Sequence, residues 1–339
     1  MTMQKPQSLI GESEPFLAVL DQVSRLAPLN RPVLVIGERG TGKELIAQRI
    51  HYLSGRWDGP LVSLNCAAFS EGLIDSELFG HEAGAFTGAK ARHQGRFERA
   101  ENGTLFLDEL ANAPMSVQEK LLRVIEYGEY ERVGGSKTLN TDVRLVCATN
   151  EYLPEVVEQG RFRADLLDRL AFDVIHLPPL RERKSDIMAL AEHFAIKMCR
   201  ELELPYFAGF SEQAEQALIN YPWPGNVREL RNVVERSVYR QDDHDSPIYQ
   251  ILFDPFTSPW QQAPVETATT SEESPVTNGV SLVFPMDIKK LLEDTEVKAI
   301  QEALSLSRYH QGKTAEMLGL SYHQLRGLLK KHKLSTEKP

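Results

Sequence analysis

The run Val33-Leu34-Val35-Ile36 passes without a break into Gly37-Glu38-Arg39-Gly40-Thr41-Gly42-Lys43, and no other stretch restricts the fold so tightly. Four apolar, mostly β-branched residues predict a strand buried on both faces, and the pattern after Lys43 predicts a helix. In that setting glycines let backbone N–H groups close around phosphate oxygens, the helix N-terminus adds the positive end of its dipole, and Lys43 reaches the terminal phosphates. One position departs from the generic loop: Glu44 stands where Ser or Thr would offer Mg²⁺ a hydroxyl.

Further short apolar runs recur between helical patterns: Leu61-Val62-Ser63-Leu64, Thr104-Leu105-Phe106-Leu107, Val143-Arg144-Leu145-Val146-Cys147 and Phe172-Asp173-Val174-Ile175. They predict a parallel sheet covered on both faces. One of them runs directly into Asp108-Glu109. Two buried acids without a task would be costly, so they are read as part of a nucleotide site, Asp108 holding Mg²⁺ and Glu109 polarising the attacking water. Thr149 and Asn150 bring polar groups to the same sheet edge. Asn65, at the end of another strand, either hydrogen-bonds Glu109 and holds it off until the site is complete, or caps a turn. After Pro178-Pro179 the strands stop, and helical patterns over about 186–201, 211–220 and 227–239 predict a smaller helical unit.

Composition bounds what remains. With 339 residues, 42% hydrophobic and 25% charged, the chain has the length and mixture of two or three globular units. No run approaches the ~18 uninterrupted apolar residues of a membrane span, and Met1 to Gln7 lack the layout of a signal peptide, so the expected location is the cytoplasm. Cys66, Cys147 and Cys199 form no closely spaced pair and predict neither zinc nor disulfides. The segment from about 257 to 279, rich in Pro, Ser, Thr, Gln and Glu, is a predicted linker. A net charge of −10 is unlike a DNA-binding protein, yet residues 308–333 hold six Lys and Arg against the single acid Glu316. Within them Lys313 to Leu325 reads as helix, turn, helix: Ala315 is small where helices cross, Gly319 permits the turn and Leu325 faces inward. Ser321 and Gln324 are placed to cap the second helix, and with Tyr322, His323, Arg326 and Lys330 they form the candidate DNA-reading face.

Between the phosphate loop and the acidic pair lies Glu77-Leu78-Phe79-Gly80-His81-Glu82-Ala83-Gly84-Ala85-Phe86-Thr87-Gly88-Ala89. Its last six residues make a small-residue loop with one large apolar side chain, either a mobile contact tip or an ordinary surface turn. This loop resembles the signature loop of the bacterial enhancer-binding proteins, AAA+ activators of RNA polymerase carrying the sigma-54 factor. The resemblance runs from Leu9-Ile10-Gly11-Glu12-Ser13 to the basic C-terminus, and it takes in Glu44 and Trp223-Pro224-Gly225-Asn226-Val227-Arg228-Glu229-Leu230.

That resemblance implies an α/β P-loop AAA+ domain with a parallel sheet (1–176), a helical lid (177–255), a linker (256–285) and an all-α helix-turn-helix DNA-binding domain (286–335). It implies a homo-hexameric ring with ATP between neighbours, touching Gly37 to Glu44, Thr149, Asn150 and the lid's Arg228. Gly84 to Ala89, above all Phe86 and Thr87, would contact the sigma factor. Arg163 and Arg169 match the arginines that reach into the neighbour's site; their local alternative is pairing with Asp165 and Asp168. Asn226 and Glu229 have the spacing of a capping box. Enhancer DNA would bind the C-terminal module, and hydrolysis would remodel a closed promoter complex into an open one. A negative regulatory protein is also implied, with Trp57 either its anchor or packed onto its own domain. The rival is a AAA+ motor that remodels proteins or translocates DNA, which shares the ATP site but lacks the sigma-contact loop.

Overall fold

The computed structural model describes residues 9–256 and, beyond them, 296–332 apart from 298, 301, 302, 305, 306, 308, 309 and 321. The expected linker, but for Phe256, and Ser321 therefore lie outside the described residues. Seven strands are present among these: β1 (Val33–Ile36), β2 (Leu61–Asn65), β3 (Thr104–Asp108), β4 (Glu129–Glu131), β5 (Thr138–Asn140), β6 (Arg144–Thr149) and β7 (Val174–His176). Five form a parallel sheet in the order β2-β3-β6-β1-β7, while β4 and β5 make a separate antiparallel hairpin.

Alternation along the strands divides the core in two. Leu34, Leu105, Leu107, Leu145 and Cys147 enter one cluster with Ile74 and Phe79 of α3 (Glu71–Phe79), Phe97 of α4 (Arg96–Arg99) and Leu121 of α5 (Met115–Tyr127). Val33, Val35, Phe106, Val146 and Ala148 enter the other, against Val19 and Val23 of α1 (Glu14–Leu26) and Ile46 and Ile50 of α2 (Lys43–Tyr52). Period-two burial on both faces is why these strands read as nearly continuous apolar runs. Each large side chain so buried contributes about 1.5–3 kcal/mol. Short helices α6 (Leu153–Glu158) and α7 (Ala164–Leu170) join the first cluster, on the face of α3 to α5, through Leu153, Val156, Leu166 and Leu170.

The lid comprises α8 (Ser185–Glu201), α9 (Glu212–Asn220) and α10 (Asn226–Tyr239), packed around the fully buried Trp223. Its indole N–H donates to the Leu218 carbonyl at 2.8 Å, so the largest side chain of this core leaves no orphaned donor. Asp186, in the first turn of α8, accepts the N–H groups of Glu12 and Ser13 and the Ser13 hydroxyl, which ties the lid to the segment preceding α1. A separate C-terminal unit holds α11 (Gln311–Met317) and α12 (Tyr322–Lys331) around Ala315, Leu325 and Leu329. Gly319, at φ 64°, makes the turn between them.

Candidate functional site

Phosphate loop and acidic pair meet at the C-terminal edge of the sheet. Gly37 N–H donates to the Thr149 carbonyl at 3.2 Å, so the loop leaves β1 beside the end of β6. Lys43 curls back on the loop, its Nζ donating to the carbonyls of Gly37 (2.9 Å) and Glu38 (3.3 Å). Burial lowers its pKa, against the opposing pull of Glu109 and Asp108. Glu44 is exposed in the first turn of α2, where a carboxylate suits the helix dipole.

Asp108 ends β3, and Glu109 then adopts a left-handed conformation at φ 52°. Leaving strand geometry there breaks the alternation that would send two consecutive carboxylates to opposite faces, at a cost of about 1–3 kcal/mol. The Glu109 side chain is 14% exposed, with Oε1 lying 4.0 Å from Arg39 Nε. Its other oxygen, Oε2, is buried without a hydrogen-bond partner. Asn65 does not pair with Glu109: its side chain donates to Asp108 Oδ2 at 3.4 Å and accepts the Ala67 N–H at 2.9 Å. The register explains this, because Asn65 stands directly opposite Asp108 in the β2–β3 ladder.

The lid closes over the loop through residues that spacing alone misassigns. Asn226 is fully buried at φ 52°, and its side chain bonds Glu38, the Arg39 carbonyl and the Leu180 N–H. It is no capping side chain; only Glu229 behaves as half of a capping box, accepting the Gly225 N–H at 2.8 Å. Arg181 adds two bonds to Glu38, and these, with Asn226, hold that carboxyl below its ordinary range. At Gly40 a Cβ would stand 2.3 Å from the Gly225 carbonyl and 3.1 Å from Arg228 Cβ, so the glycine serves lid contact as well as phosphate approach. Beside Thr41 and Gly42 opens a cavity of about 730 Å³ lined by Leu9, Ile10, Phe16, Leu45 and Val227. Its walls, which also carry Arg183, Lys197, Arg200 and Arg231, went unrecognised in the sequence because they come from four separate segments.

The two arginines belong to another element: Arg163 immediately precedes α7 and Arg169 lies in its last turn. Arg163 forms the local pair with Asp165 at 2.7 Å, whereas Arg169 reaches Glu126 of α5 at 2.9 Å rather than Asp168. Residues 84–89 form a closed loop, Gly84 N–H donating to the Ala89 carbonyl at 2.7 Å. Thr87 and Phe86 (42% exposed) are at its surface, the Phe86 ring standing edge-on to His81 at 4.9 Å. Arg132, buried in the β4–β5 hairpin, binds Glu82 and Glu98 at 2.8 Å and fixes the base of that loop. Trp57 is 62% exposed. In the C-terminal unit Tyr322, His323, Gln324, Arg326 and Lys330 are exposed along α12.

A phosphate loop followed by an acidic pair across a parallel sheet, under a helical lid and with a separate helix-turn-helix unit, defines a AAA+ ATPase joined to a DNA-binding module. The chain belongs to the sigma-54-dependent AAA+ transcriptional activators: residues 9–176 match the Sigma-54 interaction domain, 181–251 the AAA+ ATPase lid domain and 291–332 the Fis family of bacterial regulatory proteins. It is 62% identical over 327 residues to the Psp operon transcriptional activator of Escherichia coli (strain K12), covering 96% of this chain and 98% of that protein. It is 43% identical to nitrogen fixation protein AnfA of Azotobacter vinelandii, over 95% of this chain and 56% of that one. NtrX from Brucella abortus, solved in complex with ATP, superposes with a TM-score of 0.67 at 30% identity, over 96% of this chain and 70% of that one; a complex of NtrX with ADP matches equally well.

Proposed function

We propose that the chain assembles as a homo-hexamer, hydrolyses ATP between neighbouring subunits, and uses the cycle to drive residues 84–89 against sigma-54 and open a promoter complex. The observation that carries this reading is Glu109: a carboxylate oxygen left buried and unpartnered beside the phosphate loop has a use once a water molecule is placed against it. The cavity beside Thr41 and Gly42 suits a nucleobase, with apolar side chains and a few cationic ones on its walls and an opening toward the loop that takes the phosphates. Gly37 to Glu44, Thr149, Asn150 and Arg228 surround the nucleotide.

Asp108 suits Mg²⁺, which is held by one or two carboxylates together with substrate phosphates rather than by a protein cage. Bound there, Mg²⁺ neutralises charge on the phosphates. Asn65 orients Asp108, while Glu109 orients water. Arg163 and Arg169 complete the neighbour's site, since a guanidinium supplied from outside stabilises charge on the transferring phosphoryl group and couples turnover to assembly.

Enhancer DNA would be read by α12 through Tyr322, His323, Gln324, Arg326 and Lys330, with Ser321 at its start. The domain limits 1–176, 177–255, 256–285 and 286–335 belong to the same proposal, as does a negative regulatory protein anchored at Trp57. No helix among the described residues is long and apolar enough to cross a membrane. The cytoplasm belongs to the proposal through its DNA and polymerase partners. Open-complex formation with purified sigma-54 RNA polymerase on a supercoiled promoter tests the whole reading. Strand opening that requires hydrolysable ATP is expected; opening without ATP, or none with it, would overturn it.

A further inference from the structure

Gln118, in the first turn of α5, is fully buried. A primary amide is found in such a place when its polar atoms are all used. Its Nε2 donates to the Ala113 carbonyl at 2.7 Å and to the Arg161 carbonyl at 3.0 Å, and its Oε1 accepts the Arg163 N–H at 2.9 Å. Two carbonyls require the NH₂ group and one N–H requires the oxygen, so the network fixes which end of the amide is which. Ala113 ends the short 3₁₀ turn that follows Glu109, and Arg163 immediately precedes α7. One side chain thus joins the backbone behind the acidic pair to the backbone from which an arginine projects.

The two ends of this bridge do not depend on it equally. The turn at Ala113 keeps its own bonds, Asn112 N–H to the Glu109 carbonyl and Ala113 N–H to the Leu110 carbonyl. At the start of α7 the first N–H groups have no partner within the helix, and the Arg163 N–H is held by Gln118. Arg169 is tied to the same rod, through Glu126 two turns further along α5.

We infer that Gln118 is a positioning residue for ATP hydrolysis in the neighbouring subunit: it holds the 161–163 backbone so that Arg163 meets the neighbour's phosphates. The inference rests on the proposed trans role of Arg163. Without the amide, the Ala113 carbonyl is left unpartnered in a buried place and the Arg161 carbonyl and Arg163 N–H in a partly buried one, so the 161–163 segment must shift to bring them to water. A shift of about 1 Å at a group that stabilises the transition state costs on the order of 100-fold in rate.

Full-length Gln118→Leu and Gln118→Glu, the second matched in size and keeping the acceptor, are expected to lower kcat by roughly 100-fold while the KM for ATP stays near wild type. The decisive experiment mixes each variant one to one with Glu109→Gln chains. One junction in four then joins an intact Glu109 face to an intact arginine face, so turnover should recover to about a quarter of wild type. A mixture no more active than its parents, or unchanged kcat in both variants alone, would overturn the role. Arg163→Ala mixed with Glu109→Gln is the control: if that pair also stays inactive, the trans arginine is wrong, and if it alone recovers, only the assignment of Gln118 fails.

Discussion

Glu109 holds a backbone conformation that a strand residue avoids, and the result is a carboxylate kept next to Lys43 with one oxygen unclaimed. Glu109→Gln preserves the shape and removes the charge, so kcat should fall by at least ~100-fold while ATP binding changes little, as read by steady-state turnover beside a direct binding titration. Glu38 adds a pH dependence. Arg181, then Asn226, hold its carboxyl below the ordinary range, so the clasp between loop and lid is complete above the unfolded pKa of about 4.3 and is lost as pH falls through the lower folded value. ATP binding by wild type should therefore weaken more steeply below about pH 4 than binding by Glu38→Gln, measured by titration across that range. The acids and the phosphate loop were legible because each is a contiguous string. Asn226 was not: its spacing from Glu229 suggested a cap, while its three partners lie 46 to 188 residues away.

Among elements, the sheet and the lid helices could be read from their periodicity, but the β4–β5 hairpin could not. Its strands are three residues long and bury little beyond Tyr130 and a half-buried Leu139, so no apolar alternation marks them. Yet the hairpin supplies Arg132, whose guanidinium holds the Glu98 carboxyl below the ordinary range and grips Glu82 at the foot of the 84–89 loop. The loop is thereby fixed at its base while Phe86 and Thr87 stay at the surface. Thr87→Ala alters the tip alone and should leave ATPase activity within about twofold of wild type, as for a surface change, while abolishing promoter opening. Parallel measurement of phosphate release and DNA strand opening checks this, and equal loss of both would show the loop to serve the chemistry itself.

At the scale of the whole molecule the chain divides into two units, 1–261 and 262–339, and each has its own apolar cluster. A chain ending at Gln261 should keep its ATPase activity and lose specific DNA protection in a footprinting assay, because the cations of α12 that would neutralise phosphates are gone. Trp57 poses the opposite question, of what reaches the ATPase from outside. It precedes β2, whereas the phosphate loop follows β1, so in a parallel sheet the two lie at opposite ends. Its loop is pinned by neighbours rather than by the indole: Arg56 bonds Asn30 and the Asp142 carbonyl, and Ser54 accepts the Arg56 N–H. Removing the ring should therefore disturb neither folding nor hydrolysis. An exposed tryptophan anchoring a partner typically contributes about 2 kcal/mol or more, which corresponds to a roughly 30-fold loss of affinity. Trp57→Ala should keep full ATPase and promoter-opening activity but need some 30-fold more of the negative regulatory protein for half inhibition. Titration of ATPase activity with that purified protein decides the point, and an unshifted curve for the folded variant would place the regulator's anchor elsewhere.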